Sequence, residues 1–104
     1  MWIGGILIFS GRTNPTWSIN KKTAEKLEQT WNSLRHLSEK PQTKPRLGYN
    51  GCFLKKDESH IWVVNEKIVT LQTKYGIESR WDKDGKFEEL LLNSVPSGFF
   101  ENLN

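Results

Sequence analysis

Residues 2–9, Trp2-Ile3-Gly4-Gly5-Ile6-Leu7-Ile8-Phe9, form a nearly unbroken apolar run, and this run limits the fold more than any other stretch of the chain. It is rich in β-branched and aromatic side chains, which suits a strand buried on both faces and hence a central one. Gly4-Gly5 suggests a bulge or a frayed start. The run is far shorter than the roughly 20 residues needed to span a membrane. It also lacks the basic leader and small-residue cleavage site of a secretory signal.

The run ends in a polar, turn-forming corner, Phe9-Ser10-Gly11-Arg12-Thr13-Asn14-Pro15-Thr16-Trp17, which sets how the strand meets the next element. Proline at 15 fixes its own φ and pushes Asn14 towards extended backbone, and Asn14 can close an Asx-turn. Trp17 and Ile19 are expected to tuck beneath a helix. Asn20 is a good N-cap, because its side-chain oxygen can accept from an otherwise orphaned backbone N–H. From Lys21 onward Ala24, Leu27, Trp31 and Leu34 recur at three- and four-residue intervals, continued by His36 or Leu37. This predicts an amphipathic helix of four to five turns with a mixed, wet outer face.

Ser38 to Arg46 has two prolines and no apolar side chain, so it reads as a loop. Leu47 to Leu54 reads as a strand whose glycines at 48 and 51 suggest a bulge or a close neighbour. His60–Val64 and Lys67–Leu71 flank Asn65-Glu66 as a two-residue hairpin, with Tyr75-Gly76-Ile77 ending or extending the second arm. Asp82-Lys83-Asp84-Gly85 opens a second helix carrying Phe87, Leu90 and Leu91 on one side. The expected order is β-α-β-β-β-α. It is an α+β fold of two layers, with a four-stranded, mainly antiparallel sheet and both helices on one face.

At 104 residues the chain forms one domain, 1–104. Five tryptophans and 12% aromatic residues can fill a core although apolar residues make up only 36%. The net charge is +3, with the positive excess in the N-terminal half. That half could attract a nucleic acid or another acidic partner. The single cysteine, Cys52, excludes an intrachain disulfide and fits a reducing cytoplasm.

Phe9-Ser10-Gly11-Arg12, Asn14-Pro15 and Trp17 resemble the opening, FSGRPNPxW, of a group of small bacterial proteins. That group also shares a central LGYxGF strand and a leucine-rich last helix. Here Thr13 replaces the proline, and Leu47-Gly48-Tyr49-Asn50-Gly51-Cys52-Phe53 holds one extra residue before its phenylalanine. Glu88-Glu89-Leu90-Leu91-Leu92 resembles the last helix. The resemblance implies the architecture and a bacterial origin; the group carries no activity to transfer.

No catalytic signature stands out. Cys52 with His36 or His60 could form a nucleophile and base or part of a zinc site, yet no local motif of either kind surrounds them. Surface histidines and a core thiol are the plainer reading. Asp82-x-Asp84-Gly85 resembles a fragment of a calcium loop but lacks the third acidic ligand and the closing glutamate. A helix N-terminus that uses Asp for capping and dipole charge explains the same residues. No cofactor or metal is expected. Most tryptophans belong to the core, whereas Trp17 and Tyr49 are candidate surface groups. Arg12 either ties loop carbonyls together or holds an anion.

The expected function is therefore a non-enzymatic binding or adaptor module for a protein or a small anion, with Arg12, Asn14, Trp17 and Tyr49 as candidate binding residues. A nucleic-acid binder using the basic half is the alternative. A small enzyme built on Arg12, Cys52 and a histidine is the third possibility. No membrane partner is expected.

Overall fold

The computed structural model describes residues 1–9, 13–38 and 48–99. In chain order the elements are β1 (Trp2–Phe9), β2 (Thr16–Ile19), α1 (Lys21–Ser33), β3 (Arg35–Leu37), β4 (Gly48–Asp57), β5 (His60–Asn65), β6 (Ile68–Thr73), β7 (Gly76–Trp81) and α2 (Lys86–Leu92). All strands join one antiparallel sheet of seven, ordered β2-β1-β4-β5-β6-β7-β3. The α+β class stands. The four-stranded sheet does not, because β2, β3 and β7 add three strands to it.

Each added strand has a physical reason for escaping a sequence pattern. β2 is four residues long and folds straight back on β1, pairing Trp2 with Ile19 and Gly5 with Thr16. The segment after β1 therefore leads into an antiparallel partner strand rather than directly into a helix. β3 takes over where the helical periodicity was expected to continue. α1 ends at Ser33, Leu34 is extended (φ −79°, ψ 149°), and Arg35–Leu37 pair with β7. Tertiary partners win over periodicity here. The Trp31 carbonyl accepts from Leu34 N at 3.1 Å and from an Arg80 Nη at 2.8 Å. The Arg80 guanidinium also lies 4.3 Å from the centre of the Trp31 ring, and its Nε donates to Glu78 at 2.7 Å. That ion pair also hides β7 from a hydropathy reading, since Glu78 and Arg80 occupy positions facing the helices.

Both helices lie on one face of the sheet. Ala24, Leu27 and Trp31 of α1 and Phe87 and Leu91 of α2 form one core with Ile6, Cys52, Leu54, Trp62, Val64 and Val69. Asn20 caps α1 as its position predicts, its Oδ1 accepting from Thr23 N at 2.8 Å. Asp82 is buried and receives Phe87 N at 3.1 Å and Glu88 N at 3.2 Å, which satisfies two orphan donors at the start of α2. The glycines have specific uses. A Cβ on Gly5 would clash with the carbons of the Phe53 ring, so bare backbone in β1 is what lets the aromatic settle on it. Gly51 sits at φ 103° where the β1–β4 register shifts, and any Cβ there would strike the Val64 carbonyl. The β5–β6 turn is Glu66-Lys67, one residue later than expected, with Asn65 paired to Ile68.

Candidate functional site

The described members of the expected binding set have separate structural partners. Arg12 lies outside the described residues. Asn14 serves the hairpin: its Oδ1 accepts from Ile8 N at 2.9 Å, beside a bond of 3.0 Å from Ile6 N to the Pro15 carbonyl. Trp17 is a core residue, 5% exposed, not a surface group. Its indole N–H donates to Ser94 Oγ at 2.8 Å, and its ring meets Phe99 edge-on at 5.3 Å. Tyr49 is 43% exposed, and its hydroxyl donates to the Glu88 carboxylate on α2. Partial burial, and then this hydrogen bond to a carboxylate, hold the phenol well above its ordinary range.

The candidate catalytic groups are equally dispersed. Cys52 is fully buried on β4, and burial in company with the Glu88 and Asp82 carboxylates pushes its thiol up to about 12. It is a poor nucleophile at neutral pH. His36 stands on the edge strand β3, with three strands between β3 and β4. His60 opens β5 opposite Asp57 at the end of β4, with Ser59 in the turn between them, a set whose composition suggests a triad. The geometry rules one out, because Asp57 Oδ1 and Ser59 Oγ both approach the same ring nitrogen, Nδ1, each at 3.2 Å. A relay needs base and orienting group on opposite nitrogens. Among the described residues no three His, Cys, Asp or Glu side chains gather to hold a metal. Both oxygens of Asp82 are engaged by backbone amides of α2.

What the strands do assemble is the second face of the sheet. Strand side chains alternate between faces, so the partners of the buried set point away from both helices. Cross-strand pairing lines up Ile3, Lys55, Ile61, Gln72 and Ile77 in one row. The next row holds Gly5, Phe53, Val63, Thr70, Ser79 and Leu37, and a third holds Asn65, Ile68, Trp81 and Arg35. Leu7 alternates onto the same face, opposite the bulge in β4 at Gly51. Among the described residues no helix covers this face. Its apolar members are partly exposed and stand apart from the core cluster, and Ile77 is 53% exposed.

The electrostatics of this face are sparse. Lys55 and Arg35 are the cations in its rows, Lys83 Nζ lies 5.9 Å over the Trp81 ring, and the three rows contain no carboxylate. Lys55 Nζ is held 2.9 Å from Glu58 in the adjoining turn. The Thr70 and Ser79 hydroxyls satisfy each other at 3.1 Å. The sequence signal for this face is that β1 and β5 are apolar in both alternating sets, joined by Phe53 of β4 and Ile68 of β6, whereas two short helices can cover only one face.

The fold and face define a class: a two-layer α+β protein whose seven-stranded sheet is covered by helices on one side and presents an apolar surface on the other. No family model, curated protein or solved structure matches this chain. No helix in the described residues is long and apolar enough to cross a membrane.

Proposed function

We propose that this chain is a non-enzymatic protein-binding module, a cytoplasmic adaptor whose working surface is the open face of the sheet. One observation carries the reading: at least eight apolar side chains, among them Ile3, Phe53, Ile61, Val63 and Ile68, line a sheet face that no helix covers among the described residues. Contiguous apolar surface of this kind on a small domain marks an interaction site. Phe53 and Trp81 supply the aromatic anchors that protein interfaces favour. The cytoplasmic placement is supported by the single unpaired cysteine.

The other readings have weaker support. An enzyme centred on Cys52 would need an accessible thiolate, whereas this thiol is fully buried and is pushed up by that burial. A nucleic-acid platform would need exposed rings beside free cations; Lys83 Nζ lies 5.9 Å over the Trp81 ring, but Lys55 is engaged by Glu58 and aliphatic side chains outnumber the two rings of this face. A photo-crosslinking amino acid placed at Val63, compared with one at the helix-layer position Lys26, tests the reading in the protein's native cells. A discrete protein adduct from position 63 and none from position 26 is expected. No adduct from position 63, or one that a nuclease removes, would sink the protein-binding reading.

A further inference from the structure

We infer that the occupant of the open face is a second copy of this chain, packed sheet against sheet about a two-fold axis near β5. The inference rests on the reading of that face as a protein-binding surface and adds the identity of the partner. Size is the first argument. Seven strands at a spacing of about 4.8 Å, each rising roughly 3.3 Å per residue, give a face of about 30 × 20 Å before side-chain relief is counted. A stable interface takes about 800 Å² of accessible surface from each partner. A corrugated face of about 600 Å² in projection is therefore of the right order for one complete interface.

Self-compatibility is the second argument. A two-fold axis brings the same surface together with itself, so any unpaired charge near its centre would meet its own copy. This face avoids that conflict. Its middle strand, β5, contributes Ile61 and Val63. Lys55 is neutralised within its own chain by Glu58, and Arg35 lies on the outermost strand, where it reaches the rim. Thr70 and Ser79 satisfy each other. The centre can be dehydrated without orphaning these hydroxyls, and it offers no uncompensated charge for a partner of different chemistry to read. The edges compete poorly as association sites, because β2 has four residues and β3 three.

Sedimentation equilibrium of the full chain over about 1–100 µM brackets the micromolar affinities that such interfaces reach at their weak end. The wild type is expected to show a reversible dimer. Val63→Lys, verified as folded by a cooperative melt, is expected to weaken association at least tenfold, and Lys26→Glu on the helix layer to leave it unchanged. If Val63→Lys fails to fold, Ile61→Gln takes its place with the same expectation. A wild type that remains monomeric throughout overturns the inference, as does a dimer indifferent to the open-face substitutions. The two failures separate cleanly. A crosslink from position 63 to a protein of another mass removes the self-association and leaves the binding module standing; no crosslink and no dimer remove both.

Discussion

Asp57 concentrates three donors on one oxygen. Ser59 contributes both its hydroxyl and its amide, each at 2.8 Å, and His60 Nδ1 lies 3.2 Å away. The Ser59 hydroxyl has the largest effect, and together these contacts hold the carboxyl down at about 2, against about 3.9 for a free aspartate. A carboxyl whose folded value is depressed stabilises the fold wherever the unfolded chain would also be ionised. That contribution is present above about pH 4 and is lost as pH falls towards 2. Asp57→Asn should therefore melt below the wild type at pH 6, and the gap should close between pH 4 and pH 2. Thermal melts across that range check it, and a gap independent of pH would show that the turn does not rely on the ionised form. Some of this residue-scale detail is legible in sequence. Asn20 as a cap and Asn14 as a turn former act through neighbours a few residues away, so local spacing reveals them. Trp17 does not, because its partners Ser94 and Phe99 lie near the other end of the chain.

At the scale of elements, the four strands read from sequence are present as β1, β4, β5 and β6, and two helices form where capping and apolar spacing place them. Two of the missed strands, β3 and β7, are specified by a partner rather than by their own pattern, whereas β2 does alternate, Thr16-Trp17-Ser18-Ile19, but over only four residues. β3 is three residues with no alternation until β7 supplies a ladder, and β7 places an Arg–Glu pair where apolar side chains would be sought. The β5–β6 turn shows how local chemistry can mislead by one residue. Glu66 and Lys67 sit at φ 50° and 66°, the left-handed pair that a two-residue hairpin turn requires, though asparagine and glycine are the usual occupants. Holding a residue with a Cβ in that region costs about 1–2 kcal/mol. Lys67→Gly should therefore stabilise the domain by roughly 1 kcal/mol, less whatever glycine gains as entropy in the unfolded chain. Urea denaturation measures this, and a clear loss of stability would mean that the Lys67 side chain contributes more than its backbone strain costs.

The molecule as a whole is a sheet with two unlike faces, and adjacent residues of one strand lie on opposite sides of it. Val64 is fully buried beneath the helix layer, whereas Val63, its neighbour on β5, faces outward between Phe53 and Thr70. Valine and threonine have nearly the same shape, so Val→Thr changes polarity with little change in volume. At position 64 the new hydroxyl enters the apolar core. Unless the strand lets it reach a carbonyl, the loss should be about 1–3 kcal/mol. At position 63 the hydroxyl meets water in a single copy and stands beside Thr70, so the change should stay within about 0.5 kcal/mol. Both variants should be unfolded by urea in dilute solution, where the chain is not held by a partner, and then at high concentration. The dilute measurement should separate the two faces. If the open face is occupied at high concentration, the tolerance at position 63 should shrink there while the loss at position 64 stays the same. Equal losses at both positions in dilute solution would mean that the second face is as dry as the first, and the asymmetry on which the binding reading rests would be gone.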